Sequence, residues 1–329
     1  NRLEEKKTEN CVNKRREELI RIFEIPETGV EIIDQILTPQ EQEILLLLDK
    51  SGSYSNSELQ NMLTQNDFTE NAKEAESVVR ELFRRGVLNR TADGEDFCTG
   101  TFYGRLDIFA TDEVEAYDRL SREQKERLDE WYFGAYLDWI NSLDAEHPTD
   151  DEVLPLDEVL DWIDRREDTP YLADCDCRRL IQNCDNPVNT CITYRTAPNS
   201  FVKRGLLKPI TKEEVKEVVR RADRQGLIHT VNSGGICSCC TDCCYLFRAA
   251  QARDSVGVWP AVTYQVQVDS EKCVNCKACI GRCRFSVLGS DGEKIVADTR
   301  NHTCVGCGLC ATVCPTDALS VEKREKEWE

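Results

Sequence analysis

The chain has 329 residues, 40% of them hydrophobic and 31% charged, enough to bury the cores of more than one domain. Its formal net charge of −19 argues against attachment to nucleic acid through overall positive charge, and no signal peptide or apolar run long enough to span a membrane is in view. It also carries 19 cysteines; at that density, without a secretion signal, metal is favoured over disulfides, in a cytoplasmic, reducing and anaerobic setting.

Residues 1–24 are charged and read as a helix or a mobile arm. After Pro26, Thr38-Pro39-Gln40-Glu41 is a helix start, with Thr38 as N-cap and Pro39 at the first helical position. A second helix is predicted over Ser57 to Leu63 and a third over Asn71 to Arg85, ending at Gly86 with Ala75, Val78, Val79, Leu82 and Phe83 inward. Val87-Leu88, a turn at Ala92-Asp93-Gly94 and an aromatic strand at Phe102-Tyr103 follow. Three helices and a hairpin look like a winged-helix unit spanning residues 1–110 with the arm. On the third helix Lys73, Arg80, Arg84 and Arg85 are offset by Glu74, Glu76 and Glu81, whereas a DNA-binding face should be a clear basic stripe. Nucleic acid is therefore not the expected partner, and a protein-interaction role is. Cys11 and Cys98 stand alone and read as single thiols.

Charge is unevenly spread. Residues 107–170 hold 21 acidic against 6 basic residues, whereas residues 171–261 hold 9 against 13. Within the acidic segment, assigned to residues 111–170, the helical spacing of Leu120, Leu128, Trp131, Tyr132, Ala135, Tyr136 and Trp139 predicts an amphipathic pair with a buried aromatic face. Its outer face would be negative, suited either to docking a basic partner or simply to solubility.

Residues 171–261 contain nine cysteines: Cys175, Cys177, Cys184, Cys191, Cys237, Cys239, Cys240, Cys243 and Cys244. The run C-x-C-C-x2-C-C suits several thiolates converging on one or two additional iron–sulfur clusters, with zinc as the alternative, since C-x2-C pairs also make zinc sites. Thr241 and Tyr245, rather than glycine, follow the cysteine pairs, which does not support a noncubane cluster. His229 is a candidate for tuning or ligating a cluster, and Arg178, Arg179, Lys203, Arg204 and Arg248 are cations that could offset buried anions. Ser233-Gly234-Gly235 lacks the strand–glycine–helix context of a nucleotide site.

The last segment, 262–329, carries the sharpest signal. Cys273, Cys276, Cys279 and Cys283 are repeated 31 residues later as Cys304, Cys307, Cys310 and Cys314, each run being C-x2-C-x2-C-x3-C. In this arrangement the fourth cysteine of each run ligates the other cluster. One [4Fe–4S] cluster is then expected on Cys273, Cys276, Cys279 and Cys314, the other on Cys304, Cys307, Cys310 and Cys283. A strand over Val262 to Val268, a hairpin ending at Lys294 to Ala297 and a closing strand at Leu319 to Val321 complete the fold.

This segment resembles the dicluster bacterial-type ferredoxin domain. Where that family usually has proline after the fourth cysteine of each run, only Pro315 is present; Arg284 follows Cys283 and becomes a candidate for tuning the potential. With Ala173-Asp174-Cys175-Asp176-Cys177-Arg178 and Gly226-Leu227-Ile228-His229, the whole chain is similar to a group of anaerobic iron–sulfur proteins that join such a block to a C-terminal dicluster ferredoxin. The expectation is a multidomain α+β protein: a mainly helical N-terminal half, a small cysteine-rich domain and a ferredoxin-like domain. Its expected role is electron transfer to redox partner proteins, without a catalytic centre of its own, as a component of a larger oxidoreductase complex. The rival readings are an iron–sulfur redox sensor controlling transcription and a reductase whose middle cluster is the active site.

Overall fold

A computed structural model describes residues 2–300 and 303–324, with side chains from Asn13 onward. The chain divides into two compact units, Asn1–Tyr132 with Thr196–Leu207, and Phe133–Arg195 with Lys208–Glu329. Among the described residues no helix is long and apolar enough to cross a membrane.

In the first unit, α1 (Arg2–Phe23) buries Leu19, Ile22 and Phe23 and leads through a 3-10 turn (Glu27–Ile32) into α2 (Ile33–Ile36). The side chain of Cys11, read as a single thiol, lies outside the described residues. Helix α3 (Pro39–Leu45) starts at the expected N-cap Thr38, which forms a capping box with Glu41, and α4 (Asn56–Gln65) has the same device in Ser55 and Glu58. Helix α5 (Ala72–Arg84) is capped by Asn71 and stops at Gly86, where φ is +77°. Strands β1 (Leu88–Arg90) and β2 (Phe97–Thr99) form an antiparallel hairpin.

Phe102 and Tyr103 are not a strand. They open α6 (Phe102–Thr111), because Thr101 caps that helix by accepting from the Gly104 N–H, and Phe102, Leu106 and Phe109 make a fully buried stripe. Helix α7 (Val114–Asp118) follows, then α8 (Arg122–Ser142), whose residues from Phe133 onward belong to the second unit. Leu128 and Tyr132 are buried as the periodicity predicts, but Trp139 is half exposed. A buried ion-pair network ties this unit together: Arg85 binds Glu41 at 2.7 Å and Glu113 at 3.1 Å, and Arg105, wholly buried, binds Glu113 at 2.8 Å and the Ile36 carbonyl. Residues 196–207 add Arg204, whose guanidinium donates to the carbonyls of Phe83 and Leu88 and to Asn89 Oδ1.

The second unit is built on a six-stranded sheet. Its strands are β3 (Glu152–Val153), β4 (Tyr171–Ala173), β5 (Cys191–Thr193), β6 (Ile228–Asn232), β7 (Gly235–Cys239) and β8 (Ala261–Val262), in the order β4-β5-β7-β6-β3-β8. All neighbours are antiparallel except β3 and β8. Helices α9 (Leu156–Arg165) and α11 (Lys212–Arg224) contribute Val159, Ile163, Val215 and Val219 to a core with Ile192, Val231 and Ile236 from one face of the sheet. Short α10 (Asp176–Ile181) and α12 (Tyr245–Ala252) carry the flanking cysteines.

The C-terminal ferredoxin segment belongs to this same unit. Strand β9 (Tyr264–Val268) pairs antiparallel with β12 (Leu319–Lys323), and β10 (Leu288–Ser290) with β11 (Ile295–Ala297), as the alternation predicts. Helices α13 (Ala278–Arg282) and α14 (Leu309–Thr312) complete it around a core of Val266, Val287, Leu288, Ile295 and Leu319. Val305 and Leu309 also pack with Trp259 and Phe247, and Arg282 donates to the carbonyls of Asp223 and Arg224 at 2.6 Å. Position 262, expected as a domain edge, therefore lies inside one compact unit.

Candidate metal centres

The 31-residue repeat extends from cysteine spacing to backbone conformation. Asn275 and Gly306 have φ of +54° and +67°, Lys277 and Gly308 +65° and +75°, Ser286 and Asp317 +56° and +50°. Each pair is 31 residues apart. Left-handed residues between cysteines turn successive backbone N–H groups inward, a concavity suited to anions. Accordingly the N–H groups of Asn275 and Ile295 point at Cys273 Sγ, both at 3.5 Å, and that of Ala318 at Cys314 Sγ at 3.2 Å.

The two cysteine runs line two separate cavities. Cys273, Cys276, Cys279 and Cys314 surround one, closed by Ile295 and Leu319; Cys304, Cys307, Cys310 and Cys283 surround the other, closed by Val266, Phe285, Val305, Leu309 and Val321. Each cavity thus receives three cysteines from one run and the fourth from the other. Four thiols facing a mainly apolar space fit a cubane in donor type and number. Burial pushes the Cys307 thiol up to about 12 and raises Cys310 as well, a cost that binding to metal removes.

Arg284 is exposed. The cations that do reach the loops are Lys294, whose Nζ donates to the Cys273 carbonyl at 2.7 Å, and Arg324, which donates to the Cys304 carbonyl. These two residues are also about one repeat apart, a signal in the sequence that the arginine next to Cys283 masked.

In the middle block the sheet sorts the cysteines. Register places Ile192 opposite Ile236, so Cys191 and Cys237 project from the other face, together with Cys239. Cys175 and Cys177 come to this face from the start of α10, and Cys244 from the N-cap of α12. These six thiols interact around a closed ring: Cys175 with Cys177 and Cys191, Cys191 with Cys237, Cys237 with Cys239, Cys239 with Cys244, and Cys244 with Cys177. Hydrogen bonds from Cys191 and Cys239 pull Cys237 down to about 6 against burial, and those from Cys177 and Cys239 hold Cys244 well below the ordinary thiol range. Cys239 is correspondingly raised by its bonds to Cys237 and Cys244. The ring supplies two thiols more than a cubane uses.

The remaining three, Cys184, Cys240 and Cys243, gather beyond the end of β7 with their sulfurs within 4.8 Å of one another. A hydrogen bond from Cys243 pulls Cys240 down to about 5. Arg178, buried, donates to the Ser238 carbonyl at 2.8 Å and to Thr190 Oγ1 at 3.1 Å, and its positive charge acts on Cys240. Of the other cations considered, Arg204 and Lys203 belong to the first unit, and Arg248 lies over the rings of Phe133 and Tyr245.

His229 is not among the cysteines. It faces α11 from the opposite side of the sheet, with Nδ1 3.3 Å from Ser238 Oγ and Nε2 3.9 Å from Asp223 Oδ1. Among the described residues no cysteine forms a disulfide, Cys98 included.

Residues 266–321 match the family described as 4Fe-4S dicluster domain. A ferredoxin of Methanothermococcus thermolithotrophicus is 35% identical over 60 residues, which are 18% of this chain and 98% of that protein. An archaeal-type glutamate synthase [NADPH] of Dehalococcoides mccartyi is 40% identical over 58 residues, 18% of this chain and 12% of its own length. The indolepyruvate oxidoreductase subunit IorA of Pyrococcus abyssi is 40% identical over 76 residues, 23% of this chain and 11% of its own length. The chain thus spans only about a ninth of these two larger relatives. No solved structure matches.

Proposed function

Because the chain belongs, through residues 266–321, to the 4Fe-4S dicluster ferredoxins, we propose that it is an electron-transfer protein or subunit serving a partner oxidoreductase. The observation that carries this reading is the pair of four-cysteine cavities. Cys273, Cys276, Cys279 and Cys314 would hold one [4Fe–4S] cluster, and Cys304, Cys307, Cys310 and Cys283 the other; such clusters take up and release single electrons. The polypeptide supplies four thiolates to each, inward N–H groups that stabilise their negative charge, and apolar walls that exclude water. We assign at least one further cluster to the nine-cysteine block, on the six-thiol ring, extending the relay.

The larger relatives support the class of partner: a glutamate synthase and an indolepyruvate oxidoreductase subunit each contain a stretch like residues 266–321. We read α3 to α5 with the β1–β2 hairpin as a winged-helix-like interaction module, and the acidic segment as a docking face. Ion pairs oppose DNA binding by α5: Arg80 is paired with Glu76, Arg84 with Glu81 and Asp112, and Arg85 with Glu41. We read its setting as cytoplasmic and anaerobic, because 19 cysteines, with no disulfide among the described residues, suit a reducing compartment.

Anaerobic iron and sulfide quantification with an EPR redox titration tests the whole reading. Two cubanes in the ferredoxin segment and one on the ring give about twelve irons per chain. About eight would remove the further cluster, and fewer than eight would refute the dicluster assignment. Salt-sensitive DNA retention that changes with cluster oxidation would instead establish a transcriptional sensor.

A further inference from the structure

We infer that Cys184, Cys240 and Cys243 form a separate centre for one zinc ion, with water completing its coordination. The inference does not depend on a cluster occupying the six-thiol ring.

Sulfur spacing carries it. Cys184 Sγ lies 3.8 Å from Cys240 Sγ and 3.7 Å from Cys243 Sγ. A tetrahedral ion with zinc–sulfur bonds of about 2.3 Å sets its sulfurs about 3.8 Å apart. Thiolates of a cubane bind different irons across a metal cage and stand farther from one another. The same molecule contains that contrast: among the described residues, no three of the eight ferredoxin sulfurs come within 4.8 Å of one another.

The local chain explains how the trio forms. Cys240 and Cys243 are a C-x2-C turn directly after β7, and Cys184 is delivered by Gln182, which ends α10 in the left-handed conformation at φ +53°. The two adjacent pairs divide between centres: Cys239 and Cys244 lie in the ring, whereas Cys240 and Cys243 both meet Cys184. C-x-C-C-x2-C-C is therefore two interleaved ligand sets.

Charge balances at this site. Three thiolates and a divalent zinc leave one negative charge, and the buried guanidinium of Arg178 sets a positive charge within Coulombic reach of Cys240. Among the described residues no histidine, aspartate or glutamate oxygen or nitrogen joins the three sulfurs closely enough to be a fourth ligand. That leaves the position to water, as in zinc sites with three protein ligands.

The test uses the full chain isolated anaerobically, with zinc, iron and sulfide counted on the same sample. One zinc per chain is expected. Cys243→Ser should lose nearly all of it while keeping iron and sulfide, and Cys237→Ser should keep the zinc. Zinc K-edge absorption on the unaltered protein should show three sulfurs at about 2.3 Å and one lighter ligand, which decides the matter even if a variant fails to fold. Absence of zinc, four sulfurs around it, or loss of about four irons in Cys243→Ser would each overturn the inference. The last result would place a cubane at this site and leave the ferredoxin assignment standing.

Discussion

Replacing Gly306 with alanine should empty one ferredoxin cavity and spare the other. Gly306 sits between Cys304 and Cys307 at φ +67°, and a Cβ there would lie 2.6 Å from the carbonyl carbon of Tyr264 in β9, closer still to its oxygen. Left-handed alanine costs about 1 kcal/mol, and the overlap forces the loop roughly 1 Å off β9, so the total is about 3 kcal/mol or more. That loop holds three of the four thiols of its cavity. Asn275, one repeat earlier, is also left-handed yet carries a side chain, because it faces the β10–β11 hairpin and donates to the Gly292 carbonyl at 3.1 Å. Asn275→Ala is therefore the matched control. Iron content should fall by about four per chain in Gly306→Ala and hold in Asn275→Ala, with EPR of the reduced protein losing one of two cluster signals. Full iron in Gly306→Ala, with an unchanged thermal midpoint, would refute the steric argument.

Lys294→Met removes the cation beside Cys273, and Arg324→Met the one beside Cys304. A unit charge about 8 Å from the added electron, at an effective dielectric of about 40, is worth ~1 kcal/mol, so each change should lower the adjacent cluster's potential by ~40 mV in an EPR titration. In the first unit, Arg204→Met strips four hydrogen bonds, from the carbonyls of Phe83, Leu88 and Asn199 and from Asn89 Oδ1, and should cost about 3 kcal/mol by urea unfolding; less than about 1 would contradict it. Burial holds His229 down to about 4, whereas in the unfolded chain it protonates at its ordinary value. Between about 4 and 6.5 the unfolded state binds more protons, so stability is complete above that window and is lost as pH falls through it, by up to about 3 kcal/mol. Asp223, raised by burial, runs in the opposite sense, so the histidine's part is read as the difference between the native protein and His229→Gln across that range.

What a linear reading captured was local. The Thr38 cap, the apolar stripe of α5, both strand pairs of the ferredoxin segment and the left-over thiol Cys98 all depend on residues a few positions apart. Phe102 and Tyr103 went astray because aromatic β-propensity was weighed without the cap at Thr101. Arg284 drew attention by adjacency to Cys283, but a side chain next to a ligand in sequence can point to solvent, whereas Lys294 and Arg324 reach the loops from 21 and 20 residues away. The division of nine cysteines into six and three rests on strand register and on α10 folding back towards β7, contacts across more than 50 residues that spacing alone does not encode. His229 likewise looked near the cysteines until alternation along β6 put it on the far face.

Residues 196–207 give the chain an order of events. The first unit is interrupted after Tyr132 and receives its last piece only after the sheet of the second unit has begun with β3, β4 and β5. A ribosome that has released the first 132 residues has not yet released Arg204, so the carbonyls of Phe83 and Leu88 still lack their donor. Neither unit is a contiguous gene segment, and a fragment stopped at Tyr132 would emerge with that seam open. During synthesis Cys175 to Cys191 and Cys237 to Cys244 are therefore separated by a stretch that belongs to the other unit, so the last thiols of both centres leave the ribosome only after every residue of the first unit has been released.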